Sequence, residues 1–260
     1  MYLRHCLCRK HWTLGLRIFL LVGFFALWEL AAQMGWIEDF IFSSPSRISA
    51  TLVSLAQSGD LWLHVSTSVW ETIVGFTLGT VLGIIFAIFL WWSPFVAHVL
   101  EPYLVVLSAL PKTALGPIFI VWMGAGSGAI ITMTLAISLI VTILDMHNGF
   151  LATDSEKIAL LKTLGANRPQ ILFKLVLPAN LTTMVNVLKV NVGLSWVGVI
   201  MGEFLVSKAG LGYLIVYGSQ VFKMDLVMCS VLILALCAAG MYQCILWLEK
   251  GLKIYMGVTL

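Results

Sequence analysis

Long apolar runs alternate with short polar segments along this 260-residue chain. A helix crossing a hydrocarbon layer of about 30 Å needs about 20 apolar residues at a rise of about 1.5 Å each. Six runs meet that length: Leu14–Met34, Ser68–Trp92, Val96–Trp122, Ala129–His147, Thr182–Phe204 and Leu226–Trp247. The pattern predicts an all-α integral membrane protein with six transmembrane helices. Residues 1–13 form a polar N-terminus, and 14–260 form a single transmembrane domain. The first run is too long for a signal-peptide core and no small-residue cleavage site follows it, so it reads as a retained span. One polar-rich stretch, residues 153–178, separates the fourth and fifth runs.

Between the runs, Ser44 before Pro45 marks a helix start. Ile48, Leu52, Val53 and Leu55 with Gln57 suit a short amphipathic helix, which Gly59-Asp60 breaks. Gly75, Gly79 and Gly83 recur every four residues in the second run, a smooth stripe that favours close helix packing. Pro102, Pro111 and Pro117 with Gly116 interrupt the third run. Broken backbone at membrane depth is tolerated where it is buried or lines a water-filled cavity. Pro111, Lys112 and Thr113 at that break are candidates for a translocation path, and Lys112 has the alternative of a structural pair or a snorkelling position. Gly124 to Gly128 form a tight turn; no Gly-Lys-Ser/Thr follows, which excludes a phosphate-binding loop. In the fifth run Asn191, Ser195 and Gly198 stack on one small, polar face. With Lys189, Trp196 and Glu203 they face either a path or symmetry axis, or neighbouring helices through hydrogen bonds. The sixth run is uniformly apolar and reads as packing.

Charge then sets orientation. Hydrophobic residues make up 60% of the chain and charged ones 10%, with a mean hydropathy of +1.02, against about 25% charged in soluble domains. With the N-terminus inside, Arg4, Arg9, Lys10, Arg17, Lys157, Lys162, Arg168, Lys174, Lys250 and Lys253 are cytoplasmic; Arg47, Lys208 and Lys223 lie outside. That bias places both termini and the 153–178 loop in the cytoplasm. Cys229, Cys237 and Cys244 act as small apolar residues. Cys6 and Cys8 with His5 and His11 match no strong zinc spacing, and no metal site is expected.

The loop predicts two short helices at an angle. Thr153-x-x-Glu156 is a capping box opening a helix through Ile158, Leu160, Leu161 and Leu164. Lys162 suits its last turn, and Gly165 supplies the left-handed end. Asn167 caps a second helix presenting Ile171, Leu172, Leu175 and Val176, which Leu177-Pro178 ends. The excess of apolar residues suits a surface that inserts into a partner's groove.

This loop resembles the coupling loop of binding-protein-dependent ABC importer permeases, with their Glu-Ala-Ala, Gly and hydrophobic-Pro signature. Lys162-Thr163-Leu164-Gly165-Ala166 and Val176-Leu177-Pro178-Ala179 match; the Glu-Ala-Ala positions are Ala159-Leu160-Leu161, and Glu156 is the nearest acid. Further stretches resemble the nitrate/sulfonate/taurine branch: Leu110-Pro111-Lys112-Thr113-Ala114-Leu115-Gly116-Pro117, Gly193-Leu194-Ser195-Trp196, Glu203-Phe204-Leu205 and Gly210-Leu211-Gly212-Tyr213. The resemblance implies a type I importer permease in a bacterial cell membrane, pairing with an identical copy and docking two cytosolic ATPase subunits. ATP and magnesium would bind those partners and no cofactor this chain. It also implies an extracytoplasmic solute-binding protein, contact with membrane lipid, no nucleic acid, and a small anionic solute of the sulfonate, nitrate or taurine type. Glu156, Ala159, Leu160, Leu161, Lys162, Gly165, Ala166, Leu177 and Pro178 are the coupling positions, and Glu203 an outer gate or binding-protein contact.

The competing class is a self-sufficient secondary transporter or channel, which would carry coupling acids within its spans. Glu29, Glu71, Glu101, Asp145 and Glu203 all fall near predicted span ends. A membrane-embedded enzyme would need clustered His, Asp or Glu, whereas His64, His98 and His147 are scattered.

Overall fold

A computed structural model of the chain describes residues 2–255, with side chains described except at 2–11, Thr13, Leu14, Asp39 and Tyr255. The Cys6, Cys8, His5 and His11 grouping therefore lies outside the described residues. Helices follow one another as α1 (Tyr2–Gln33), α2 (Asp39–Phe42), α3 (Pro45–Ser58), α4 (Asp60–Trp92), α5 (Pro94–Ala109), α6 (Gly116–Met123) and α7 (Ser127–Leu151). The chain continues through α8 (Ser155–Thr163), α9 (Arg168–Ile171), α10 (Leu177–Ala179), α11 (Leu181–Val206), α12 (Leu211–Gln220) and α13 (Met224–Tyr255). Among the described residues five helices are long and apolar enough to cross a membrane, or six if α5 and the 112–123 segment, bent by 88° to each other, count as one span.

Two expected limits move. The second span begins at Asp60 rather than Ser68, which puts Glu71 well inside α4. The sixth runs on past Trp247 to Tyr255. In both places the backbone hydrogen-bond ladder continues through residues whose polar side chains lower the hydropathy, so hydropathy ends before the helix does.

The chain packs as two compact units, residues 1–62 with 214–232, and residues 63–213 with 233–260. In the first, α3 starts where expected: the Ser44 side chain accepts from the Arg47 N–H, Pro45 occupies the first turn, and left-handed Gly59 closes the helix. Asp225 holds this hairpin, accepting from Ser43 Oγ at 2.7 Å and pairing with Arg47 at 2.9 Å. The Phe40 and Phe222 rings stack at 6.3 Å.

In the second unit α7 and α11 form the principal pair. The glycine stripe of α4 packs on Thr134, Ser138 and Thr142 of α7, which share its four-residue spacing. A Cβ at Gly75 or Gly83 would come within 2.5 Å of those threonine side chains. On the other side a Cβ at Gly198 of α11 would stand 2.7 Å from the Thr134 backbone. The α7 hydroxyls bond to carbonyls one turn back, as Thr142 Oγ1 does to Ser138 at 2.8 Å, so this close-packed surface carries no unmet donors.

Candidate functional site

The 153–178 loop is a helix, a left-handed glycine and a second helix. Its opening differs by one residue from the capping box expected at Thr153. Asp154 is the N-cap and accepts from the Glu156 N–H at 2.9 Å. That backbone donor, together with Lys157, holds the Asp154 carboxyl below the usual carboxylate range. Thr153 instead accepts from Asn180 Nδ2 at 2.8 Å, a partner 27 residues away that local pattern cannot reveal. The close of α8 is as expected. Gly165 has φ +81°, its N–H donates to the Lys162 carbonyl at 3.0 Å, and the Ala166 N–H donates to Leu161 at 2.9 Å. These two bonds are a Schellman closure, which needs a residue at positive φ.

Asn167 caps α9, accepting from the Gln170 N–H at 3.2 Å while Gln170 accepts from the Asn167 N–H at 2.9 Å. Leu177-Pro178 does not end this helix. The backbone stays helical from Arg168 to Ala179, widening to a π-turn over Leu172–Val176, and the turn falls at Asn180. Pro178 has no N–H to give to Lys174, and the wider turn absorbs that loss without breaking the helix. Arg168 reaches the Trp92 carbonyl at the end of α4 at 2.9 Å.

Burial sorts the loop's apolar side chains into two sets. Ile171, Leu172 and Val176 join Ala87, Met146, Phe150 and Val187 in a core, with Ile158, Leu161 and Ala166 packed against it. Leu160, Leu164 and Phe173 stand 59%, 74% and 66% exposed. Leu160 and Leu164, one turn apart, therefore present an apolar edge from a helix anchored on its other side. Ala159, Glu156, Lys162 and Pro178 are also exposed.

The third span breaks at Pro111 alone. Pro102 is carried inside α5 and Pro117 sits in the first turn of α6. Lys112 Nζ donates to the Ser108 carbonyl at 2.9 Å. In an unbroken helix that carbonyl would accept the backbone N–H of residue 112, so the lysine satisfies what the break exposes. Pro111 and Thr113 are exposed and Lys112 is half-buried.

The remaining path candidates lie inside the chain: Asn191, Ser195, Trp196 and Glu203 are all buried. Asn191 Nδ2 donates to Thr80 of α4 at 3.0 Å and to Thr142 of α7 at 2.7 Å, joining three helices. Trp196 packs with Val192 and Ile245. The Ser195 hydroxyl and the Trp196 indole N–H have no hydrogen-bond partner among the described residues. Lys189 pairs with Glu249 of α13 at 2.7 Å, which also takes Lys253 at 3.0 Å.

Glu203 sits at a corner that sequence reasoning missed. The Gly212 N–H donates to its Oε2 and Ser68 Oγ to its Oε1, both at 2.5 Å. The Leu211 N–H donates to Ser68 Oγ at 2.7 Å and the Gly210 N–H to His64 Nδ1 at 3.0 Å. The His64 ring stacks on Tyr213 at 5.8 Å. Three side chains from α4 and α11 thus meet the free N–H groups at the start of α12. A Cβ on Gly212 would stand 2.7 Å from the Glu203 Cβ, so the glycines of Gly210-Leu211-Gly212 are the one local signal for the corner.

Apolar helices of spanning length, with a capped helical loop anchored at their ends, define a polytopic helical membrane protein. The chain belongs to the family of binding-protein-dependent transport system inner membrane components, which it matches over residues 79–253. It is the permease subunit of an ABC importer, a transport component rather than an enzyme, from a family that works with ATPase subunits and a binding protein. It is 30% identical to a probable ABC transporter permease protein of Haemophilus influenzae, over 90% of this chain and 95% of that one. It is 27% identical to a putative aliphatic sulfonates transport permease protein of Escherichia coli, over 87% of each. The fold matches a chain of the inward-facing MetNI methionine ABC transporter with a TM-score of 0.56 at 18% identity, covering 71% of this chain and 97% of that one. The fold class is that of a type I ABC importer permease.

Proposed function

We propose that this permease carries a small anionic solute of the sulfonate, nitrate or taurine type into a bacterial cytoplasm. Two cytosolic ATPases, which hold the ATP and magnesium, dock on the 153–178 loop, and an extracytoplasmic binding protein delivers the solute. The observation that carries the reading is the two-sided loop. Leu160 and Leu164 form an exposed edge while Ile171, Leu172 and Val176 root the same loop in the core beneath α4, α7 and α11. A push on the edge is passed to those helices through packed side chains, the kind of bistable contact that alternating access needs. The excess of Lys and Arg on the loop side supports a cytoplasmic loop and cytoplasmic termini. The sulfonate-permease relative supports the solute class.

The pair of permeases meets through α5 and α6. This region buries little of itself within one chain and carries Lys112 beside the Pro111 break. A charged group there is costly against lipid and suits a wet path between two copies. Pro111, Lys112 and Thr113 line that path, and Asn191, Ser195, Trp196 and Glu203 act behind it, setting the position of α11. Remaining apolar surface, such as that of α1, faces lipid.

The test is Gly165→Val in the permease co-expressed with its ATPase partner. The variant is expected to insert in the membrane but to lose co-purification of the ATPase and uptake of a labelled alkanesulfonate. Undiminished docking and uptake would remove the coupling role of the loop.

A further inference from the structure

The helix α5 buries none of its residues within the chain, yet both of its ends are held in the same way. At the far end the Pro111 break leaves the Ser108 carbonyl open, and Lys112 Nζ donates to it at 2.9 Å. At the near end α4 stops at Trp92, Ser93 is extended (φ −123°, ψ 94°), and Pro94, which has no N–H, starts α5. In an unbroken helix the Trp92 carbonyl would accept the N–H of Val96. Here it accepts from Arg168 Nη1 at 2.9 Å, from 76 residues along the chain. A guanidinium suits that position, because the last carbonyls of a helix are open and its dipole there is negative.

Arg168 belongs to the 153–178 loop. It is the first residue of α9, directly after the Asn167 cap, and Ile171 and Leu172 root the same turn in the core. That core gathers side chains of α4, α7, α11 and the loop itself and, among the described residues, none of α5. Packing alone therefore carries a movement of the loop to α4, α7 and α11 and leaves α5 out. The Arg168 hydrogen bond reaches the corner from which α5 departs. We propose that Arg168 is a positioning residue, a latch that passes movement of the loop to α5 and so to the Pro111 break beside Lys112. Leu160 and Leu164 meet the ATPase on one side of Gly165, and Arg168 holds the α4–α5 corner on the other. The latch rests on the docking of the ATPases proposed above and adds to it the one helix that the packed core does not grip.

The experiment uses the full-length permease with its ATPase partner in lipid nanodiscs, first without nucleotide and then with ATP and vanadate. Amide exchange is followed in the loop at Leu160–Ala166 and in the first turns of α5 at Ala97–Leu100. In the wild type, trapping the nucleotide changes exchange at Ala97–Leu100 by about fivefold or more. In Arg168→Ala the ATPase co-purifies as before and the loop keeps its response, while the change at Ala97–Leu100 shrinks to within about twofold. Arg168→Lys restores the change in α5, because a single donor serves a single carbonyl. A mere cap on Trp92 would alter exchange equally with and without nucleotide and leave the difference between them intact. The latch is overturned by a wild-type response in Arg168→Ala, by no response in the wild-type α5, or by no restoration in Arg168→Lys. A wild-type loop whose exchange is indifferent to the ATPase overturns the docking reading itself, and the latch with it.

Discussion

The helices α11 and α5 are both apolar and both of membrane character, yet they are used in opposite ways. α11 buries eleven of its residues, among them Asn191, Ser195, Gly198, Gly202 and Glu203. α5 buries none, and Phe95, Tyr103 and Val106 stand at least 62% exposed along it. The buried helix is the one rich in small and polar residues, and the exposed one is rich in large apolar residues. In lipid there is no gain from hiding a leucine, so packing goes to surfaces that approach closely and to polar groups that need partners. Large apolar side chains remain outside, for lipid or for a second subunit.

The sharpest way to break that contrast is to place bulk on the packed helix. Gly198→Leu forces a side chain into the Thr134 backbone and is expected to destabilise by about 3 kcal/mol or more, abolishing folded protein. Val106→Phe on α5 likewise adds four heavy atoms and is expected to leave thermal unfolding in detergent unchanged. Equal tolerance at both sites would erase the distinction. Next comes Gly165→Val, where the left-handed conformation costs about 1–2 kcal/mol locally, read as faster amide exchange from Leu164 to Asn167. Asn191→Leu removes two interhelical bonds and is expected to cost about 0.6–1.7 kcal/mol, seen as a lower unfolding temperature. Lys112→Met is expected to leave that temperature unchanged while altering alkanesulfonate uptake; unchanged uptake kinetics would return Lys112 to the structural role of serving Ser108. The smallest effect concerns Asp154. Its carboxyl is held below its ordinary value by the folded cap, so its contribution is present above about pH 4 and is lost as pH falls through the lower folded value. Faster exchange of the Glu156 amide in acid than at neutral pH, beyond the intrinsic rate, checks it.

Much of the architecture was legible because the signals are local. Ser44, Gly59, Gly165 and Asn167 each act within a turn of themselves, and each stands where the pattern predicts. The glycine stripe of α4 was legible as a packing surface, though its partner was not. The failures share one cause. Thr153 pairs with Glu156 by local pattern, three residues on, but bonds Asn180. Leu177-Pro178 is a stop by local pattern, but the helix runs on through a π-turn whose Leu172 and Val176 pack in the core. Glu203 reads as an acid near a span end, and nothing in its local sequence joins it to Ser68 or to the Gly212 N–H.

By itself, then, the sequence determined that this chain is a helical membrane protein, where α3 begins and ends, and which loop bends at Gly165. Those depend on backbone conformation and on transfer of apolar side chains from water, which are properties of short segments. Only the tertiary structure decided that Asn191 bridges three helices, that Leu160 and Leu164 rather than Leu172 and Val176 form the loop's open edge, and that Glu203 meets Ser68 and the Gly212 N–H. Those depend on which faces of distant helices come together, and in a bilayer many apolar faces are interchangeable until small and polar residues select one arrangement.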